Sequence, residues 1–447
     1  MYTAVPGQCA SLMANIFVSM IPVKKYFLIL ILLPTVFYGG AAQAITTIRS
    51  IIFEGNDVTQ DIFLRRTMYI SEGSAFDEVC LEESLQALMD TGLFKEVDYY
   101  VSSDIPEDED ADNTQVDLII RVREKHYLLV VPRIRVRDNE THIGIQLRWD
   151  NLFGFNHRLR YLMEDRGTTA NVDEQRNEFD YWYPNVNGSS YSLNFFSVEQ
   201  NEVDETDPAA LIDRQDRVLG VNVHRWLNPA GRNYGWFTNV GWSTRERVND
   251  VLNPTLTDDT IKALVLRLEY GFSETHDYGY NRAGKEFGYA VDIAHRVLHS
   301  DAEFARHELY YRSYYRFPSR PLDNLNVQTI LGHATHDIME NEAFGLGGED
   351  LRGYDPSRFI GNAMLQINME YLRPFENHPR LRYVGFVDLG NTYEDVADVI
   401  HGGLKTGVGV GLRWKIPSFV KLSLRVDLGY GISDGDYRIT AGTHYAY

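Results

Sequence analysis

The chain has 447 residues, 44% hydrophobic and 13% aromatic, with 35 Gly and 28 Tyr. Its formal charge of −20 and pI near 5.1 argue against nucleic acid as a partner. No apolar run after residue 44 is long enough for a helical membrane span, which leaves open a barrel wall, where only every second residue must be apolar.

Lys24 and Lys25 precede an apolar segment, Tyr26 to Phe37, and Ala42-Gln43-Ala44 follows as a small-x-small cleavage pattern. Residues 1–44 therefore read as a secretory signal peptide, and the lead before Met20 is long enough that Met20 is an alternative start. The apolar core is about a dozen residues, short of the ~20 an anchor helix requires. No cysteine follows the cut, so lipid attachment is not expected. Cleavage would remove Cys9 and leave Cys80 without an internal disulfide.

Residues 45–125 form the first unit. Ile48 to Phe53 is strand-like and closes on Glu54-Gly55-Asn56. A short helix fits Gln60 to Met68 with Thr59 as its N-cap. A second fits Phe76 to Thr91, where Val79, Leu81, Leu85, Leu88 and Met89 recur near helical spacing and Gly92 is the stop. Strands follow at Glu96–Ser102 and Gln115–Glu124, joined by an acidic loop, 104–112, that lacks the glycine and glutamate spacing of a calcium loop. The order is β-α-α-β-β.

From 126 to 447 the pattern changes to alternating segments of about ten residues. Ile143, Ile145, Leu147 and Trp149 alternate with Gly144, Gln146 and Arg148. Ala363 to Tyr371, Gly407 to Trp414 and Lys421 to Tyr430 behave likewise. Charges on one face and aromatics ending the other suit a wet lumen inside lipid, and about sixteen strands can be counted. Closure requires strand 126–137 to meet strand 436–447, because an open edge in hydrocarbon would strand backbone polar groups. Pro132 in the first of these suits an edge, and a weak seam there is one reading, a rim marker the other. Segments 199–214, 245–260, 338–361 and 391–403 read as large loops. His333 and His336 would point to opposite faces of a strand, so no metal is expected and they read as scattered lumen histidines. Tyr310, Tyr311, Tyr314 and Tyr315 read as interface aromatics. No Gly-x-Ser-x-Gly elbow or His-Glu-x-x-His is present, so neither an enzyme nor a cofactor site is expected.

Several motifs carry a family resemblance. Ile51-Ile-Phe-Glu-Gly55-Asn56, Thr91-Gly92-Leu93-Phe94-Lys-Glu-Val97 and Ile120-Arg-Val-Arg-Glu124 resemble a POTRA (polypeptide-transport-associated) domain. Asp150-Asn-Leu-Phe-Gly154, Leu351-Arg352-Gly353-Tyr354 and Phe386-Val-Asp388-Leu-Gly390 resemble turns and strands of the BamA/TamA/TpsB superfamily of outer-membrane barrels (surface antigen family). The terminal Thr440-Ala-Gly442-Thr-His-Tyr445-Ala-Tyr447 resembles the β-signal by which barrel-assembly machinery recognises clients, which would make this chain a client itself. The resemblance implies a sixteen-stranded transmembrane barrel behind one periplasmic POTRA domain, in the bacterial outer membrane. It further implies that Arg352 pairs with Asp388 to hold a loop inside the lumen, and that membrane lipid and unfolded polypeptides are the partners. The expected function is capture of polypeptides by strand pairing and assistance of their insertion or secretion. The alternative is a passive pore or structural surface barrel. A single POTRA-like module, where the assembly factor has several, suggests a short branch.

Overall fold

The computed structural model describes residues 46–102, 115–137, 140–169, 172–204, 212–228, 233–251, 259–335 and 342–443. The expected leader, the acidic loop 104–112, His336 and the terminal Tyr445 and Tyr447 lie outside the described residues.

The N-terminal module consists of β1 (Thr47–Glu54), α1 (Asp61–Thr67), α2 (Glu78–Asp90), β2 (Phe94–Ser102) and β3 (Gln115–Glu124). Its sheet order is β1-β3-β2, with β1 parallel and β2 antiparallel to β3. Alternate residues of all three strands meet one face of the helices, burying Ile48, Ile51, Phe94, Leu118, Ile120 and Val122 against Leu64, Leu81 and Leu88. Gly55 has φ +82° and lies so close to β3 that an added Cβ would sit 2.2 Å from the Val122 carbonyl oxygen, so this position accepts only glycine.

Three expectations fail in this module. Thr59 does not cap α1: the flanking residue is Gln60, which caps with no side-chain bond, and the Thr59 hydroxyl is taken by Glu124 at 2.5 Å. The second helix begins later than Phe76 because Asp77 caps it, accepting from the amides of Val79 and Cys80. Val79 is exposed, and Ser84 takes its place on the buried face, donating to the Cys80 carbonyl and accepting from the Tyr69 amide.

Sixteen strands form the second sheet. In chain order they are β4 (Leu128–Arg137), β5 (Glu140–Leu152), β6 (His157–Thr169), β7 (Val172–Tyr183), β8 (Tyr191–Asp204), β9 (Ile212–Trp226), β10 (Gly235–Val251), β11 (Asp259–Asp277), β12 (Arg282–Ala294), β13 (Phe304–Phe317) and β14 (Arg320–Ala334). A separate short pair, β15 (Phe344–Leu346) and β16 (Phe359–Gly361), interrupts the series. It resumes with β17 (Ala363–Phe375), β18 (His378–Tyr393), β19 (Lys405–Lys415), β20 (Ser423–Gly431) and β21 (Asp436–Gly442). Each strand is antiparallel to the next, and β14 pairs with β17. The sheet curls until distant strands meet across its interior: Lys415 of β19 reaches Asp277 of β11 at 3.4 Å. Faces follow strict alternation. On β20, Ser423, Arg425, Asp427 and Gly429 are buried inside while Val426 and Leu428 face out.

The segments read as large loops at 199–214 and 245–260 are mostly strand, since β8 runs to Asp204 and β10 to Val251. Cross-strand charge pairs such as Glu199–Arg217 and Glu246–Lys262 extend the ladders well past the ~10 residues a bilayer needs. His333 is not a lumen residue. It lies on the outer face opposite His307, rings stacked 6.2 Å apart, because Gly332 and Ala334 take the inward positions. Tyr310 and Tyr314 also depart from expectation: both are buried inside, Tyr310 donating to Glu269 at 2.8 Å, and only Tyr311 and Tyr315 face outward.

Candidate functional site

The chain between β14 and β17 enters the barrel. Within it β15 pairs with β16, and Gly347 and Gly348, both at positive φ, reverse the backbone so that the Gly348 amide reaches the Tyr354 carbonyl at 2.9 Å. Phe344, Leu346, Leu351 and Tyr354 pack with Ala334 and Met364 of the wall. This apolar contact carries the loop tip to the centre of a buried charge cluster.

Arg352 is fully buried there. Its Nε and Nη2 donate to the two carboxylate oxygens of Asp388 at 2.6 and 2.7 Å, and its backbone amide donates to the same group at 3.1 Å. Nη1 donates to Glu370 at 2.5 Å and to Asp427 at 3.4 Å. The guanidinium lies 3.5 Å from the centroid of the Phe386 ring, a cation–π contact strengthened by desolvation. Arg413 donates to the same Glu370 oxygen at 2.7 Å and to the other Asp427 oxygen at 2.5 Å. Two cations, Arg352 and Arg413, thus face three carboxylates, all at most 2% exposed. Neither Glu370 nor Asp427 was singled out from sequence. Their signal was available, since each is the inward residue of a strand whose neighbours alternate, but nothing in the order of residues pairs them with position 352.

Glycines make the bed for this loop. An added Cβ on Gly407 would sit 2.0 Å from the Arg352 carbonyl oxygen, and one on Gly429 2.7 Å from the Gly353 amide nitrogen. Gly353 itself has φ +98° and faces the backbone of Gly431. Gly390 abuts Leu346, and Tyr354 donates to the Thr406 carbonyl at 2.9 Å while accepting from the Ser433 amide. The structure thus brings Arg352, Gly353, Tyr354, Phe386, Asp388 and Gly390 into one place. Three ion pairs also tie the loop to the last strands: Glu349–Arg425, Asp355–Arg438 and Arg358–Asp434.

The expected closure of strand 126–137 on strand 436–447 is not seen. Among the described residues no ladder joins β4 to β21; just before β4 the His126 amide donates to the Ser418 carbonyl, in the turn between β19 and β20, at 2.7 Å. Pro132 sits on this edge strand, where its missing N–H breaks no pairing with β5. Thr440 and Gly442 lie on β21 opposite Asp427 and Arg425.

The module rests on the rim. Asn151, buried in the Asp150–Gly154 turn, donates to the Thr59 hydroxyl at 2.8 Å, and the Gln60 amide donates to the Gly154 carbonyl at 3.1 Å. At the other end Asp90 accepts from the Asp277 amide and pairs with His276, both at 2.8 Å. The linker's Lys125 donates to the Gly92 carbonyl at 2.7 Å, and burial pushes its ammonium down to about 8. On the sheet's outer face the Arg49 and Ser50 bonds hold Asp117 down to about 2. The segment 72–76 bonds back to β1, through Gly73 to the Ile48 carbonyl and Ile48 to the Ser74 carbonyl, and covers that edge. The β2 edge carries no such cover among the described residues. Gly55, Gly92, Phe94 and Val97 serve this module's own geometry, with Gly92 at φ +77° and Phe94 and Val97 in its core.

Residues 151–443 match the Omp85 superfamily domain, and residues 46–125 match a POTRA family described as surface antigen variable number repeat. An outer membrane protein assembly factor BamA from Nitratidesulfovibrio vulgaris is 24% identical over 418 residues, covering 87% of this chain. The chain spans about half of that relative's length, 49%. Among solved structures, BamA from Haemophilus ducreyi lacking POTRA domains 1–3 aligns with a TM-score of 0.53 at 16% identity, over 89% of this chain and 84% of that one. CdiB from Acinetobacter baumannii aligns with a TM-score of 0.57 at 15% identity, over 89% and 73%. These likenesses are of fold.

Proposed function

Because this chain belongs to the Omp85 superfamily, we propose that it handles polypeptides at the outer membrane, capturing extended segments by strand pairing and assisting their insertion or secretion. The chain is an outer-membrane barrel with its module on the periplasmic side. Its role is that of a transport or assembly factor and not of an enzyme. The observation that carries the reading is the backbone edge of β2, unpaired among the described residues, in a module docked on the barrel rim. An unpaired edge offers main-chain donors and acceptors to any extended chain, whatever its sequence. The β4 edge, unladdered among the described residues, supports insertion as the next step, and the energy would come from folding and apolar burial of the client in lipid.

Arg352 and Asp388 act here as a lock that keeps the loop in the lumen, which argues against a passive open pore. Photo-crosslinkers placed at Asp98 or Tyr100 on β2 should capture unfolded barrel or passenger chains. Capture of nothing in cells exporting such clients, together with a steady large conductance in planar bilayers, would favour the pore instead.

A further inference from the structure

Between the helical side of the module and the periplasmic turns of the barrel lies a cavity of about 780 Å³. That is within the ~300–1,000 Å³ typical of ligand sites. Its walls are aromatic from both sides: Phe63 and Tyr69 on the module, Trp182, Tyr183, Trp226 and Tyr234 on the barrel. Trp226 also lines a second cavity of about 370 Å³ deeper in the lumen, with His224 and Phe237. The rings from Trp182 through His224 and Trp226 to Phe237 follow one another at 6.1, 5.0 and 5.5 Å. Same-side residues of an extended chain are spaced about 6.6 Å apart, so such a chain can set successive side chains against successive rings.

The charged groups of the cavity are Arg66, Lys421 and Asp90. Asp90 is engaged by His276 and the Asp277 amide. Lys421 runs its stem over Gly92, where an added Cβ would lie 2.7 Å from its Cε. Burial, and then the neighbouring Arg282 and Arg158, push its ammonium down to about 8. An arriving carboxylate would relieve that unfavourable field.

We propose that this vestibule binds an extended polypeptide segment bearing aromatic side chains on alternate residues and at least one carboxylate. The site deepens the client-handling reading above and rests on it: strand capture at β2 is sequence-tolerant, and the vestibule supplies the side-chain preference.

The test uses the full chain in detergent and three fluorescein-labelled ten-residue peptides, read by anisotropy. One has Tyr or Phe at every second position and Asp between them. The second has Leu for the aromatics, the third Asn for Asp. Each lost aromatic contact should weaken binding about two- to tenfold. Trp226→Ala and Trp182→Ala should erase the preference for aromatics over Leu, and Lys421→Gln should erase the preference for Asp over Asn alone. Heat-modifiable gel migration verifies folding, and Trp226→Leu, which keeps bulk but not the ring, replaces the alanine variant if that fails to fold. Equal binding of the aromatic and Leu peptides, or variants that bind as the parent does, overturns the site. Crosslinking from β2 in the same variants separates the two ideas. Lost peptide preference in the parent with intact client capture removes only the vestibule, and intact preference with no capture removes only the transport reading.

Discussion

Replacing Arg352 with alanine is the sharpest perturbation the interior allows. The change deletes four side-chain hydrogen bonds, to Asp388, Glu370 and Asp427, and leaves only the backbone amide on Asp388. Glu370 and Asp427 would then keep Arg413, and Asp388 would keep the side chain of Asn368 but no cation. Breaking a buried pair by removing one member costs roughly 3–5 kcal/mol, because the remaining charge is left desolvated. At 1.36 kcal/mol per decade, that shifts the loop from docked to free by about 10²- to 10⁴-fold. The contacts of Leu351 and Tyr354 remain, so the barrel should still fold. Limited proteolysis of residues 342–361 from the outer side reads the effect directly. Arg352→Lys, which keeps charge but loses the two-pronged geometry, should fall between alanine and the parent. In a double-mutant cycle, Arg352→Ala with Asp388→Asn should lose less than the two single changes summed. A loop cut no faster in Arg352→Ala than in the parent would refute the argument that this cluster holds it.

Gly407→Ala should act from the wall: its Cβ would meet the Arg352 carbonyl at 2.0 Å, so the loop must lift, and the same protease assay should report release with Arg352 intact. Asn151→Ala leaves the buried Thr59 hydroxyl without a donor partner on the rim, which should weaken module docking by about 1–3 kcal/mol and show as faster hydrogen exchange at Gln60 and Gly154. Docking should also depend on pH through Lys125. Its pKa falls from 10.5 free to about 8 when docked, so docking is weakest below pH 8 and strengthens as pH rises between 8 and 10.5. Lys125→Met should flatten that slope in the same exchange measurement. A parent whose rim protection is unchanged across this window would show that burial of Lys125 does not couple to docking.

Much of this protein is written in local order. Period-two alternation sorted Arg382, Val384, Phe386 and Asp388 to the inside and Tyr383 and Val387 to the outside before any fold was known, because a strand has only two faces. The same reasoning counted the strands, ordered the module as β-α-α-β-β, and placed Gly92 at the end of its second helix. Errors arose where a side chain had a choice of partner. Thr59 has the chemistry of a helix cap, but Glu124 and Asn151, distant in the chain, compete for the same hydroxyl. Tyrosines 310 and 314 carry the composition of an interface belt, yet parity sends them inward.

Residue order along the chain therefore determined the elements and their faces, and the family resemblance implied the pair Arg352–Asp388. Only the closed-up structure decided that Glu370, Asp427 and Arg413 join that pair, that the module rests on the turn at Asn151, and that its helices roof an aromatic vestibule. The reason is physical. Alternation and propensity act over a few residues, whereas a buried charge takes whichever opposite charge the curvature of sixteen strands carries within about 3 Å of it.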